Sequence, residues 1–291
     1  MRMTLIPVAD GHGHSNPVRG MGAARIAERF KEAGGWFWAL LSLSPWSYGI
    51  EPAGLESYKM MIDIVVRECK EAEDAGLRVA CLAGFHPADV DRLIDRYNMD
   101  PSKVLELGRS VVDYAAGLCR DGVLDGIGEV GRQHYKTGAE RAVIAQLILE
   151  RALEHARDYG CIVHMHLEHV GRITVDLVED AARRLGLGDA RARTVFHHSK
   201  PGTGSYASSL GYPVTIPGVQ RLLPHVFREL DPFYILESDY IDDPSRPGAV
   251  VYPWDMAGEV YRLYKRGLVG EEYLYRVNVD NVVKLYGVEP P

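Results

Sequence analysis

The chain has 291 residues, of which 46% are hydrophobic and 25% are charged, an ordinary balance for a soluble globular protein. No apolar run approaches the roughly 18 residues of a membrane span, and the N-terminus lacks the pattern of a signal peptide. We therefore expect a cytoplasmic protein without membrane contact. The formal net charge of −7 argues against a basic nucleic-acid-binding surface, although bound metal ions can supply positive charge locally.

Short apolar runs alternate with amphipathic helical stretches along the whole chain. We predict strands over Thr4–Ala9, Trp36–Leu43, Leu77–Gly84, Val123–Gly128, Cys161–Leu167, Thr194–His198, Tyr212–Ile216 and Phe233–Ser238. We predict helices over Met21–Ala33, Leu55–Ala75, Pro87–Tyr97, Pro101–Arg120, Ala139–Tyr159, Thr174–Leu185, Gly218–Glu229, Asp255–Arg266 and Glu271–Tyr286. Eight strands alternating with helices fit one α/β domain over residues 1–291, a (β/α)8 TIM barrel. The competing fold is an open doubly wound sheet.

Two features of the composition bear on stability. The four cysteines, Cys69, Cys81, Cys119 and Cys161, form no C-x-x-C pair and lie in apolar patterns, so we predict buried free thiols rather than disulfides or metal ligands. Asn and Gln are scarce, with four and three residues, and Arg greatly outnumbers Lys. Depletion of thermolabile amides is typical of a thermophilic protein.

Histidines and carboxylates collect near the ends of successive predicted strands. The clusters are His12-Gly-His14, Glu129, His164-Met-His166, His197-His198 and Glu237-Ser-Asp239. In a TIM barrel the carboxyl ends of the strands carry the chemistry. Imidazole nitrogens and carboxylate oxygens bind Zn²⁺ or a similar divalent ion when three or four of them converge. The spacing of these clusters therefore predicts an open metal site.

The alternation of side chains along a strand narrows the choice of ligands. His12 and His14 point to the same side of an extended segment. Asp10 has the same parity and is expected either to orient a histidine or to accept a backbone hydrogen bond. Glu129 at a strand end is suited to bridge two metals.

Within each later pair one residue is favoured as the ligand. His166 lies nearer the rim than His164, which we interpret as a core histidine. His197 and His198 point opposite ways, so at most one of them reaches the metal. Asp239 is the outer residue of its pair, and Glu237 is expected to support it from the inside or to lie on the surface.

Several residues are predicted to line the site opening. His86 closes the third strand and is expected either to contact the substrate or to hold the turn. Arg132, His134 and Glu168 follow the candidate ligands and are predicted to lie at the opening, together with Tyr135. The remaining histidines are interpreted as structural or surface residues: His155, His169 and His225.

In this order the motifs resemble those of the TatD-related metal-dependent hydrolases of the amidohydrolase superfamily. The matching segments are Asp10-Gly-His12-Gly-His14, Gly84-Phe-His86-Pro87, Glu129-Val130-Gly131, His166, Phe196-His197 and Glu237-Ser238-Asp239. Residues 16–20 and 240–248 resemble the archaeal TatD-like branch. The similarity covers nearly the whole chain.

The resemblance implies a TIM barrel with a dinuclear site of two divalent ions, Zn²⁺, Mn²⁺ or a similar ion, with Mg²⁺ also compatible. It assigns one ion to four residues: His12, His14, Glu129 and Asp239. It assigns the other ion to three residues: Glu129, His166 and His197. Asp239 and Glu129 are the predicted catalytic residues, because Asp239 can accept a proton from water and Glu129 joins the two ions.

Two departures from the family pattern concern the substrate. Glu168 stands where family nucleases usually carry an Arg, and Gln133 stands where they carry an Asp. An acidic opening repels a phosphodiester unless Arg19, Arg132 or Lys200 compensates. We predict a hydrolase that uses metal-activated water on a small-molecule or nucleic-acid substrate, with DNA phosphodiesters first. The alternatives are hydrolysis of an amide, a lactone or a small phosphoester, and a non-enzymatic binding module.

Overall fold

In the computed structural model, which describes residues 6–291, parallel strands alternate with helices. The strands are β1 Val8–His14, β2 Gly35–Leu41, β3 Arg78–Ala83, β4 Gly126–Gly131, β5 Ile162–His166, β6 Thr194–Phe196, β7 Thr215–Pro217 and β8 Ile235–Glu237. The helices are α1 Ala23–Glu32, α2 Leu55–Asp74, α3 Pro87–Tyr97, α4 Pro101–Arg120, α5 Ala139–Tyr159, α6 Arg172–Leu185, α7 Pro201–Ser209, α8 Leu223–Glu229, α9 Pro253–Lys265, α10 Glu271–Tyr275 and α11 Asn281–Tyr286. No helix between residues 6 and 291 is long and apolar enough to cross a membrane.

The strands close into a barrel. Strands β1 to β6 pair in chain order as one parallel sheet, and β7 pairs with β8. Single parallel bridges join Phe196 to Val214 and Gly13 to Tyr240, which links the two sheets at both edges. The His14 N–H also donates to the Tyr240 carbonyl at 2.8 Å. The predicted (β/α)8 barrel is therefore confirmed, and all strand ends that carry polar residues meet at one face.

The core has two layers because side chains alternate along each strand. In β2, Phe37, Ala39 and Leu41 pack among the residues that fill the barrel interior. Their neighbours Trp38 and Leu40 pack in the layer between strands and helices. Residues of α11 join the interior cluster, so this helix covers the end of the barrel opposite the polar strand ends.

Two strand boundaries differ from the prediction in a way that matters for the site. β1 was predicted over Thr4–Ala9 but runs from Val8 to His14, while Thr4 and Leu5 lie outside the described residues. β4 was predicted to end at Gly128 but continues to Gly131. The apolar pattern stops at the first polar residue, whereas backbone pairing with neighbouring strands continues through it. His12, His14 and Glu129 therefore lie within strands, where the sheet fixes their backbone.

The prediction of free thiols is wrong. Disulfides join Cys69 to Cys81, with Cα atoms 5.9 Å apart, and Cys119 to Cys161, with Cα atoms 6.1 Å apart. The first ties α2 to β3, and the second ties the end of α4 to the residue before β5. All four cysteines lie in or beside the apolar layer between helices and strands, and helix packing brings them together in pairs that sequence spacing does not reveal.

Candidate metal centre

Glu129 lies at the centre of a group of histidines. Its Oε1 is 3.1 Å from His12 Nε2, 2.8 Å from His197 Nε2 and 3.4 Å from His166 Nδ1. Its Oε2 is 3.2 Å from His86 Nε2. Ligands of a tetrahedral zinc ion, with bonds of about 2.0–2.2 Å, lie roughly 3.3 Å from one another. The separations around Glu129 are therefore those of atoms that share an ion.

The ligand atoms divide into two sets that share this carboxylate, with all atoms of a set within 4.8 Å of one another. One set consists of His12, Glu129, His197 and Asp239. The other consists of His86, Glu129 and His166. We refer to these six residues together as the Glu129 cluster.

This division differs from the one that the family resemblance implies. His197 groups with the first set rather than the second. His86, which the sequence analysis assigned to substrate or turn, joins the second set. The Nε2 atom of His14 lies 3.9 Å from Asp239 Oδ1, at the edge of the first set.

The residues fit a divalent metal ion. Among residues 6–291, the buried Nε2 atoms of His12, His166 and His197 make no hydrogen bond of good geometry, although those of His12 and His197 lie close to Glu129 Oε1; such atoms are rare in protein interiors. Burial lowers the pKa of His12 and His14, and it lowers the pKa of His86 to about 3. These imidazoles are therefore neutral, which is the form that donates a lone pair to a metal.

The second ring nitrogen of each histidine holds the ring in place. His14 Nδ1 lies 3.0 Å from the Leu41 carbonyl oxygen, and His197 Nδ1 lies 3.1 Å from Glu237 Oε2. Contacts of this kind orient metal-binding histidines and raise their basicity. The fully buried Glu237 thus supports His197 from inside the barrel.

His164 has the same role for His12. Their Nδ1 atoms lie 3.0 Å apart, and His164 Nε2 lies 2.9 Å from the Tyr286 hydroxyl. Both ring nitrogens of His164 are thereby engaged away from Glu129. The structure places His164 behind the ligands, and His166 beside Glu129.

Asp10 fixes the backbone beside Asp239 at the edge of the Glu129 cluster. It accepts hydrogen bonds from the Ser238 N–H at 2.7 Å, from the Ser238 hydroxyl and from the His12 N–H at 3.3 Å, and no histidine ring among residues 6–291 hydrogen-bonds to it. The next residue, Asp239, has φ +47° and donates its N–H to the His12 carbonyl at 2.9 Å. Non-glycine residues in this strained region cluster at functional sites. Burial, aided by nearby Glu237, raises the pKa of Asp239 well above its usual range.

Two glycines allow the strands to approach. A Cβ on Gly13, next to His14, would lie 2.8 Å from Trp38 Nε1, so the spacer of the histidine motif has no room for a side chain. Gly131 has φ +146°, and a Cβ there would overlap the His166 carbonyl. Close contact of β4 with β5 brings Glu129 beside His166.

The opening of the site is less acidic than the sequence indicated. Arg132 donates from Nε and Nη2 to the two carboxylate oxygens of Glu168, each at 2.7 Å, and from Nη1 to Gln146. Arg132 thus compensates Glu168, one of the alternatives that the sequence left open, and neither residue is among those that line the pocket. Arg19 and Lys200 do not line the pocket over the Glu129 cluster.

A pocket of about 640 Å³ opens over the Glu129 cluster and is lined by residues of both sets. Its wall also contains His134 and residues that the sequence did not single out, among them Trp46, the cations Arg92, Arg96 and Arg246, and the carboxylates Asp91 and Asp95. The Arg92 guanidinium stacks 4.3 Å from the centre of the Trp46 ring. Within the described part of the chain, Arg92 Nε is buried without a hydrogen-bond partner. These residues carry no motif, and only packing brings them to the pocket.

The sequence matches the model of the TatD related DNase family over residues 9–287. The chain belongs to this family. Its members are metal-dependent hydrolases, which agrees with the chemistry of the Glu129 cluster.

Individual proteins are also similar to this chain. The uncharacterized protein MJ1127 of Methanocaldococcus jannaschii is 26% identical over 98% of this chain and 97% of its own length. The TatD-like protein AF1765 of Archaeoglobus fulgidus has a TM-score of 0.64 at 17% identity, covering 96% of this chain and all of that one. The phosphotriesterase homology protein of Escherichia coli, solved with phosphate in its active site, has a TM-score of 0.60 at 14% identity, covering 98% of this chain and all of that one.

Proposed function

We propose that this TatD-related protein hydrolyses phosphate esters, with DNA phosphodiesters as its first substrate class. The observation that carries this proposal is the pocket, in which three arginines face the same space as the Glu129 cluster. Arginine binds phosphate oxygens through a planar fork of donors. The E. coli structural neighbour, which holds phosphate in its active site, supports the same chemistry.

Two divalent ions, of the Zn²⁺ or Mn²⁺ type, are proposed to be the cofactors. The protein ligands are His12, His14, Glu129, His166, His197 and Asp239, with His86 added from the geometry. When bound, such ions lower the pKa of water toward about 7 and polarise the bond to be cleaved. Glu129 lies between the two ligand sets and is the residue suited to bridge them.

The proton of the attacking water is assigned to Asp239. This carboxylate lies on the pocket wall, where its oxygens can accept a proton from water, and burial raises its pKa above the usual range. Asp10 holds the backbone of the neighbouring Ser238, so the base keeps its position while it gains and loses a proton.

Arg92 is the residue proposed to bind the phosphate. Its Nε has no partner within residues 6–291, and its stacking on Trp46 fixes the plane of the guanidinium. Arg96 and Arg246 lie on the same wall and can contact neighbouring phosphates of a chain.

A substrate panel tests the proposal. Bis(p-nitrophenyl) phosphate, end-labelled single-stranded DNA, a small lactone and p-nitrophenyl acetate are offered with Zn²⁺, Mn²⁺ or Mg²⁺. We expect hydrolysis of the diester and the DNA that is abolished in Asp239→Asn. DNA cleavage should also weaken as salt is added, because phosphate contacts release counterions.

Arg92→Gln separates phosphate ester hydrolysis from the alternative. Loss of a charged hydrogen-bond donor should raise KM for the diester about tenfold, since such bonds contribute about 1.5–3 kcal/mol, and leave lactone hydrolysis unchanged. Hydrolysis of the lactone or an amide alone, unaffected by Arg92→Gln, would instead establish the small-molecule hydrolase. Activity in metal-free protein would reject both.

A cytoplasmic location and a thermophilic source stay predictions, and the disulfides connect them. Disulfides are rare in cytosolic proteins except in those of hyperthermophiles. We therefore propose that a cytoplasmic location of this protein requires a thermophilic source. Fractionation of the native cells and the melting temperature of the purified protein test them.

A further inference from the structure

A second group of histidines lies above the Glu129 cluster, on the loops that follow β4, β5 and β6. It consists of His134, His169 and His198, which we call the mouth cluster. One ring nitrogen from each lies within 4.8 Å of the others, and the ring centres are 4.8–5.7 Å apart. We propose that the mouth cluster binds a third divalent transition-metal ion, separate from the two ions of the Glu129 cluster.

His198 gives evidence of a ligand. In the part of the chain that the structure describes, its Nε2 is buried and has no hydrogen-bond partner. Its backbone has φ +37°, a strained conformation for a residue with a side chain. This turn ends β6 and places the His198 ring edge-on to that of His197, with ring centres 4.0 Å apart, while His197 Nε2 stays with Glu129. A bound ion would satisfy the buried nitrogen and explain why the strain is retained.

The backbone of the other two histidines is fixed by neighbours. Gln133 and the Tyr135 hydroxyl, on either side of His134, both donate to Asp91 Oδ2, at 2.8 Å and 2.9 Å. The residue before His169 is Glu168, which is held by the two hydrogen bonds from Arg132. The loops therefore hold the backbone of both residues in place, and only the two imidazole rings remain to be oriented.

Small rotations complete the site. Zinc ligands lie roughly 3.3 Å apart, somewhat closer than the 4.8 Å limit of this group. His134 and His169 are exposed, so their rings can turn without disturbing the core. The bound ion would therefore be reached from solvent through the opening of the pocket.

The ligand types select the ion. Three imidazoles without a carboxylate favour Zn²⁺, Co²⁺, Ni²⁺ or Cu²⁺ over Mg²⁺ and Ca²⁺. Three protein ligands leave a fourth position open, as in catalytic zinc sites. Because His134 also lines the pocket, that position adjoins the substrate space. The ion would supply positive charge at an opening where Arg132 is occupied by Glu168.

A competing assignment uses His198 differently. Its ring also falls within 4.8 Å of ligand atoms of His166 and His197, so it can serve the Glu129 cluster instead. The mouth cluster predicts that His134 and His169 are needed for the third ion, whereas the competing assignment predicts that they are not.

The test counts ions in chelated protein titrated with Co²⁺, by native mass spectrometry and by the absorbance of bound Co²⁺. We expect about three ions per chain for the wild type and about two for His134→Gln/His169→Gln, with loss of the weakest binding step only. The matched control is His225→Gln, which removes another exposed histidine and should leave the count unchanged. Two ions in the wild type, or an unchanged count in the double variant, would overturn the proposal.

A measurement on the wild type alone guards against a folding defect in the variant. Diethylpyrocarbonate modifies exposed, neutral histidines and is mapped by peptide mass spectrometry. Modification of His134 and His169 should slow when the third equivalent of Zn²⁺ is added, while that of His225 should not. Equal modification rates with two and with three equivalents would also reject the site.

Discussion

The carboxyl ends of the strands and the layer between strands and helices are built in opposite ways. At the strand ends, buried histidines and carboxylates surround Glu129, and within residues 6–291 the Nε2 atoms of His12, His166 and His197 make no hydrogen bond of good geometry. In the layer outside β3 to β5, apolar side chains pack tightly and two disulfides join helices to strands. The first region keeps unsatisfied polar atoms for a ligand, whereas the second is complete without one. Activity and stability should therefore respond to different changes.

Reduction of the disulfides should have the largest effect, and only on stability. Cross-links that close loops of 12 and 42 residues are expected to contribute about 3 and about 4 kcal/mol by restricting the unfolded chain. Cys69→Ser/Cys81→Ser/Cys119→Ser/Cys161→Ser should melt about 15 °C or more below the wild type in calorimetry of chelated protein. Its zinc content after reloading should equal that of the wild type.

Thiol titration checks the premise directly. The denatured, unreduced protein should show no free thiol, and four should appear on reduction. Four reactive thiols before reduction would show that the cysteines are free, as predicted from the sequence, and that the layer between strands and helices is not cross-linked.

Glu129→Gln should have the largest effect on activity. Burial alone would raise the pKa of Glu129, but the surrounding histidines outweigh it and hold the pKa well below its usual range, among them His197, whose own pKa is raised by Glu237 and Glu129. The residue is therefore an anion, and it is shared by both ligand sets. The neutral amide should cause the loss of both ions and lower activity by about a thousandfold or more. Loss of a residue that only supports a metal ligand typically costs about 10–100-fold.

The measurements are elemental analysis and hydrolysis of bis(p-nitrophenyl) phosphate. Glu73→Gln, an exposed substitution on α2, is the control and should match the wild type in both. Retention of one full equivalent of metal by Glu129→Gln would show that the two sets do not share this carboxylate.

Asp89 lies where the two regions meet and should make stability depend on pH. It accepts hydrogen bonds from Ser44 and from Tyr58 of α2, yet burial raises its pKa to about 7. The folded protein then binds more protons than the unfolded chain between about pH 4 and pH 7, so stability falls as pH rises through that range. Between these pH values the free energy of unfolding of the wild type should fall by up to about 4 kcal/mol because of Asp89. Asp89→Asn should abolish this decrease, as measured by urea unfolding of chelated protein. Parallel pH profiles for variant and wild type would contradict the assignment.

The elements that could be predicted from the sequence are those that local signals determine. The bounds of α3, α4 and α5 are those expected, because local signals set them: a proline begins α3 and α4, and Gly160 in a left-handed conformation ends α5. The polar clusters at the ends of the predicted strands likewise indicated the residues that are found around Glu129. Both kinds of information are local in the chain.

The features that were missed depend on contacts between distant residues. The pairing of Cys119 with Cys161 requires α4 to pack beside the start of β5. Arg92 and Trp46 come together only when α3 meets the loop after β2. His169 was interpreted as a structural or surface residue, because its approach to His134 requires two loops of known shape. No periodicity or motif records such contacts.

Glu237→Gln should have the smallest effect of these changes. It tests whether Glu237 only supports a metal ligand or takes part in the reaction. Glu237 is fully buried and touches the site only through His197 Nδ1, at 3.1 Å. An amide of the same shape keeps the packing but weakens the charge that orients and polarises the ring, which typically costs 10–100-fold in metal affinity or activity. Competition with a chromogenic chelator measures the affinity, and excess Zn²⁺ should restore most of the activity of this variant but little of that of Glu129→Gln. Activity that excess metal leaves low, with unchanged affinity, would place Glu237 in the chemistry itself rather than behind a ligand.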